Sequence, residues 1–254
     1  MQKKDLFSVS LEELQLCFFH YGCVDSTNKR AVEYAREGGK IPALFLADSQ
    51  TAGSGRLGRS FFSPDGTGLY MTLLTEVSGE ERGFSLLTSL AAVCAREAIY
   101  DVLGVGTDIK WVNDLYSGGK KVAGILAQSF FEGEKRFVAL GVGVNVSTRD
   151  FPDGLSDKAG ALLSDCDDVD SVKRDIALCF CKRILAALDA DDHSEYMARY
   201  RDYSCVIGKR VRFSQNGAEY CAYAADITDT GALKVVLASG DEMLLSSGEI
   251  SIFI

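Results

Sequence analysis

Apolar residues recur at helical and strand spacings over the first two hundred or so residues, and mainly at strand spacing after that. Leu11, Leu14 and Phe18 fall at helical spacing, so residues 1–20 are expected to hold a short strand and helix as a lead-in. Asp25-Ser26-Thr27 precedes a mixed run from Asn28 to Glu37 and then Gly38-Gly39, the pattern of an N-capped helix with a glycine stop. Apolar runs at 43–47 and 69–77 predict strands, and the long apolar stretch 84–103 predicts a buried helix. Residues 108–116 and 122–131 read as two strands joined by a turn at Ser117-Gly118-Gly119, with a third strand over 137–146. Residues 147–164, with Pro152, Gly154 and many aspartates, read as loop, and 171–188 and 194–203 as helices. From Gly208 onward come short runs at 210–213, 220–227, 233–238, 243–245 and 250–254, separated by turn residues such as Asn216-Gly217 and Ser239-Gly240-Asp241. Such evenly spaced short strands imply a small barrel. A boundary is therefore expected near residue 205.

The chain of 254 residues is long enough for a medium domain and a small one, and nearly half its residues are hydrophobic. No apolar run approaches the ~20 residues of a membrane helix. The start, Met1-Gln2-Lys3-Lys4-Asp5, followed by a stretch broken at Glu12 and Glu13, makes a poor signal peptide. Eight dispersed cysteines without a CxxC pair suggest a reducing cytoplasm, with neither a disulfide framework nor a zinc site. Histidine is limited to His20 and His193, neither in a glycine-rich or carboxylate-rich context. Chemistry driven by Arg, Lys and Asp is favoured over a His-based hydrolase. The formal net charge of −9 disfavours general nucleic-acid binding. It also makes the local cluster of Arg56, Arg59, Lys110, Lys120 and Lys121 stand out as the footprint of a bound anion, with an ordinary surface lysine the alternative for Lys120.

Residues 50–64, QTAGSGRLGRSFFSP, carry the strongest local signal. Gly53, Gly55 and Gly58 free the backbone to turn and to expose N–H groups, while Arg56 and Arg59 add donors suited to phosphate or carboxylate. The bland alternative is a surface turn with solvated arginines. The segment is not a P-loop, since no Gly-Lys-Ser/Thr follows, and its glycine spacing is not that of a dinucleotide fingerprint. A second constellation is KWVNDLY at 110–116, a cation, an amide and a carboxylate set in an apolar stretch. Such groups need partners when buried, and a Lys–Asp ion pair is the structural alternative to a binding role. KVAGIL at 121–126 and GVGVN at 141–145 follow. Ser26 and Thr27 serve either as helix caps or as hydrogen-bonding groups for a ligand.

With these motifs in this order the chain resembles the biotin–protein ligases, whose pattern is a DSTN-like start, a glycine/arginine loop, KWPNDL, KxAGIL and GxGxN. The resemblance runs from about residue 20 onward, and it departs from the pattern at Ser54 (for an arginine), Val112 (for proline) and Phe61 (for tryptophan). It implies an α+β fold: a mixed, largely antiparallel sheet with packed helices over 1–205, and an SH3-like β-barrel over 206–254. It implies an ATP-dependent enzyme that makes biotinyl-5′-AMP and transfers biotin to a lysine of a biotin carboxyl carrier protein. Lys121, Arg56, Lys110 and Asp114 are then the catalytic candidates, Asp114 orienting or deprotonating the incoming lysine or holding metal. Ser26, Thr27, Gln50, Gly53, Ser54 and Gly124 are implied around biotin, Arg56, Arg59 and Lys110 on phosphate, and Asn113 and Asn145 at adenosine. Mg²⁺ accompanies ATP, with no protein metal ligand assigned. Some members carry an N-terminal winged helix; about twenty residues precede Tyr21, so ligase function without operator binding is expected, and a homodimer is left open. The rival readings are a lipoate–protein ligase of the same superfamily and a non-catalytic adapter.

Overall fold

A computed structural model describes residues 11–77 and 84–253. Its main sheet has seven strands: β1 (Cys17–Val24), β2 (Ala43–Gln50), β3 (Gly68–Glu76), β4 (Asp108–Lys110), β5 (Asp114–Ser117), β6 (Lys120–Glu132) and β7 (Lys135–Asn145). Their order is β1-β2-β3-β7-β6-β5-β4. Only β1 and β2 run parallel; every other ladder is antiparallel. Helix α1 (Thr27–Arg36) supplies the crossover between the parallel pair. The fold is α+β with a mixed sheet, as expected.

Period-two patterning decides what each face of the sheet holds. Along β2, Leu44 and Leu46 turn into the large core; Ala43 and Phe45 face α1, where Ala31 and Ala35 meet them. Helices α2 (Phe84–Leu103), α3 (Val169–Asp189) and α4 (Ser194–Asp202) cover the first face. Glu97 of α2 ties them together by accepting from Arg183 of α3 and pairing with Arg199 of α4. Along β7, Val138, Leu140, Val142 and Val144 are buried in the large core, and their neighbours on the α1 face are Ala139, Gly141 and Gly143. The α1 face is therefore stripped of side chains just where β7 runs past the end of α1.

The C-terminal strands β8 (Arg210–Gln215), β9 (Ala218–Ile227), β10 (Leu233–Leu237), β11 (Glu242–Leu245) and β12 (Ile250–Ile252) form an antiparallel sheet ordered β11-β10-β9-β8-β12. No ladder joins β11 to β12 among the described residues, so the sheet is open rather than a closed barrel. Its buried Val211, Phe213, Leu233 and Val235 are continuous with the large core. Among the described residues no helix is long and apolar enough to cross a membrane.

Two further expectations are corrected. Residues 17–24 form an edge strand, so Phe18 belongs to β1 and not to a lead-in helix; residues 1–10 of that lead-in, like Ile254, lie outside the described residues. Residues 108–116 form a hairpin, β4–β5, that reverses at 111–113. The reversal is held from a distance. The Trp111 indole donates to Gly231 O at 2.9 Å, and the buried Tyr200 hydroxyl donates to Val112 O at 3.0 Å. The next turn is as expected: Gly118 and Gly119, both at positive φ, join β5 to β6 in two residues.

Candidate active site

The bare stretch of the sheet is the floor of a cavity of about 750 Å³. Gly124 of β6 lies opposite Gly143 of β7, and the Phe61 ring rests on both. A Cβ at Gly143 would stand 2.6 Å from Phe61 Cε1, and one at Gly124 would stand 3.2 Å from Lys121 Nζ. A Cβ at Gly141 would collide with Asn28 Oδ1. The glycines therefore admit an aromatic ring and an amide onto the floor.

At one end the groups are neutral and hydrogen-bonded. Thr27 donates its backbone N–H to Gln50 Oε1 at 2.9 Å, and Gln50 Nε2 donates to Ser63 Oγ at 3.1 Å. Thr72 Oγ donates to Asn28 Oδ1 at 2.6 Å, and Asn28 Nδ2 donates to Gln128 Oε1 at 2.9 Å. Ser26 occupies the N-cap position of α1, yet its side chain makes no capping bond. The aspartate beside it secures the turn: Asp25 accepts from Ser26 N, Lys29 and Arg30. Those partners, Lys29 first, hold the Asp25 carboxyl well below the usual carboxylate range.

The other end is charged. Arg56, Arg59, Lys110, Lys121 and Lys158 line it against two carboxylates, Asp114 and Glu249, so it is positive within an acidic chain. Lys121 Nζ lies 2.6 Å from Asp114 Oδ1. A Lys–Asp pair, the structural alternative weighed for 110–116, thus forms with the lysine across the next hairpin and not with Lys110. Arg56 is half-buried and forms no ion pair among the described residues; it donates to Asn113 Oδ1 at 3.2 Å. Burial draws its pKa below the ordinary value, opposed by the charges of Asp114 and Glu249. A guanidinium starts high enough to stay charged, and desolvated without a counter-ion it is a receptor for an anion. Asn113 is itself fixed by donating to Ile125 O at 2.8 Å.

Three segments close the walls. Residues 54–60 fold back on themselves, with Gly55 N donating to Arg59 O at 2.7 Å, and Leu57 at the tip is 73% exposed with φ at +55°. The loop after β7 docks on β6: Lys121 N donates to Lys158 O and Gly160 N to Lys121 O, at 2.8 and 2.9 Å. From the C-terminal sheet, residues 248–252 form the third wall, and Glu249 Oε2 lies 2.5 Å from Arg59 Nη2.

The Biotin/lipoate A/B protein ligase family matches residues 21–145. The bifunctional ligase/repressor BirA of Bacillus subtilis (strain 168) is 31% identical, over 95% of this chain and 76% of that protein. The chain belongs to this family. A biotin–[acetyl-CoA-carboxylase] ligase of Mycobacterium tuberculosis is likewise 31% identical, over 89% of this chain and 85% of the relative. Among solved structures, the biotin protein ligase from Aquifex aeolicus in complex with biotin and ATP is similar with a TM-score of 0.78 and 26% identity, over 93% of this chain and 98% of that one.

Eleven of the thirteen residues singled out from the sequence line this cavity: Ser26, Thr27, Gln50, Ser54, Arg56, Arg59, Lys110, Asn113, Asp114, Lys121 and Gly124. Gly53 and Asn145 do not, and neither does Lys120 of the expected cationic cluster, whose Nζ donates to Ser156 O at 2.9 Å. Gly53 is buried behind the wall, where a Cβ would meet Phe61 O at 2.6 Å. Asn145 is 4% exposed and donates to Gly160 O at 3.0 Å, pinning the loop after β7. Asn28, Phe61, Tyr116, Lys158 and Glu249 line the cavity without having been assigned there. Asn28 and Phe61 stood inside motifs already in view; nothing local to Glu249 announces that its segment returns to the loop at Arg59.

Proposed function

We propose that this chain is an ATP-dependent biotin–protein ligase of two units, catalytic over 1–205 and SH3-like over 206–254. The observation that carries the reading is one cavity with a neutral, hydrogen-bonding end and a cationic end, joined over a glycine floor. Biotin has the matching shape, a ureido ring, an apolar chain and a carboxylate. Ser26, Thr27 and Gln50 offer the hydrogen bonds for the ureido group, and Gly124 leaves room for the chain. The carboxylate then reaches the cationic end, where Lys121 and Arg56 lower the repulsion between it and the α-phosphate of ATP. A carboxylate oxygen bonds to phosphorus, the bond to pyrophosphate breaks, and biotinyl-5′-AMP results. The ε-amine of a carrier lysine next bonds to the acyl carbon and AMP leaves; Asp114 receives the amine proton. Arg59 contacts phosphate, and Asn145 acts at the adenosine end by holding the loop after β7.

Among the described residues no group of three or more His, Cys, Asp or Glu side chains gathers to hold a metal. The cavity does carry Asp114 and Glu249. Each is already paired with a cation, Asp114 with Lys121 and Glu249 with Arg59, so Mg²⁺ would be held mainly by the phosphates of the nucleotide that carries it and would supply charge neutralisation there. The relatives named as biotin–[acetyl-CoA-carboxylase] ligases support a carboxylase carrier domain as the partner. Five short antiparallel strands joined by tight turns support the SH3-like assignment. The decisive experiment is pyrophosphate release from ATP on adding biotin, run beside lipoate. Release with biotin alone is expected. Release with lipoate in its place establishes the lipoate rival, and release with neither leaves an adapter.

A further inference from the structure

The central strand of the cationic end is β5. Asp114 and Tyr116, two residues apart, both line the cavity. β4 sets Lys110 opposite Asp114, and β6 sets Lys121 opposite Tyr116. Two lysines thus flank a strand that offers one carboxylate. The carboxylate goes to Lys121, at 2.6 Å. Lys110 forms no ion pair among the described residues, and its Nζ lies 5.3 Å from the centroid of the Tyr116 ring. A ring face attracts an ammonium without neutralising it and without occupying its N–H donors. The ring itself stays uncharged: burial, with the charge of Asp114 adding to it, pushes the Tyr116 phenol up to about 12.

We propose that Tyr116 is a positioning residue whose ring holds the Lys110 ammonium uncompensated over the cavity, as the site for the phosphate chain of the nucleotide. The Lys121–Asp114 pair is left free to serve the biotin carboxylate and the incoming amine. The inference rests on reading the cavity as an ATP-dependent ligase site. It makes the two lysines unequal: one carries its own counter-ion, and the other receives one only from substrate.

The test compares Tyr116→Leu, which removes the ring, with Tyr116→Phe, which keeps it, alongside Lys110→Ala and the double variant Lys110→Ala/Tyr116→Leu. Pyrophosphate release is measured against ATP and against biotin, binding of inorganic tripolyphosphate by calorimetry, and folding by thermal melting. Tyr116→Leu is expected to raise the KM for ATP roughly fivefold and to weaken tripolyphosphate to match. The KM for biotin stays put and kcat changes less. Tyr116→Phe recovers most of the loss, and the double variant is no worse than Lys110→Ala. The proposal is overturned if Tyr116→Leu leaves ATP and tripolyphosphate unaffected, if Phe fails as badly as Leu, or if losses add in the double variant. Should the Leu variant not fold, Lys110→Ala decides: it must raise the KM for ATP and not that for biotin, and an unchanged ATP KM defeats the proposal. A native protein that binds tripolyphosphate in this Tyr116-dependent way but releases no pyrophosphate with biotin and ATP would remove the ligase reading and leave this one standing.

Discussion

Lys121 and Asp114 sit 2.6 Å apart, yet they are assigned to different steps, and that separates them experimentally. Lys121→Ala removes the cation proposed to stand at the meeting point of two anions. It is expected to depress pyrophosphate release by about 2–4 kcal/mol of barrier, the range for a lost electrostatic stabiliser, while the melting temperature moves little. Asp114→Asn keeps the shape but cannot take a proton. Supplied with preformed biotinyl-5′-AMP, that variant should transfer slowly to the carrier, with pyrophosphate release less affected. Normal transfer with failed adenylation would instead assign Asp114 to metal or nucleotide.

Among the elements, β7 shows how a strand is made functional by what it omits. Its bulky positions feed the large core, and its glycines give Phe61 and Asn28 a floor to lie on. Gly143→Ala places a Cβ 2.6 Å from Phe61 Cε1, so the ring has to leave the floor and enter the cavity. The expected result is a KM for biotin higher by about tenfold, with ~1–3 kcal/mol lost in stability. An unaltered KM and melting curve would mean that the ring does not define the pocket. The elements also mark how far sequence reading reached. Strands with clean period-two patterns, the Gly118-Gly119 turn and the regular C-terminal runs were legible because their causes are local. The turn at 111–113 was not, because its anchors, Gly231 and Tyr200, lie far along the chain. Nor was β1, where burial alternates over the first six residues but the residue types, CFFHYGCV, do not. In the site, the motif cations were legible as a set. Which lysine Asp114 would choose, and that Glu249 would meet Arg59, depended on strand pairing and on packing of the C-terminal sheet.

On the scale of the whole molecule, folded-state ion pairs set the acid limit. Asp25, paired with Lys29 and Arg30, Asp101 with Arg183, and Asp170 with Lys173 are all held below the usual carboxylate range by those hydrogen-bonded cations. A depressed folded pKa gives stability that is present above the unfolded value and lost as the pH falls through the folded one. Melting temperature should therefore drop as the pH falls below ~4. Asp25→Asn should melt lower at neutral pH and show a smaller further drop in acid; a variant that loses as much as the native protein between neutral pH and pH ~3 would show that Asp25 has no part in it. The same global view bears on the wall formed by residues 248–252. Ser26 opens the set of cavity residues and Ile252 ends it, so the chamber is assembled from nearly the full span of the chain. Proteins are synthesised from the N-terminus, and that wall emerges from the ribosome after every other part of the chamber. A nascent chain paused short of Gly248 already presents its lysines and arginines, but it has no Glu249 to steady Arg59 and no barrier on that side against water or stray amines. For an enzyme whose intermediate is an activated acyl group, containment is therefore the last property of the chamber to be completed.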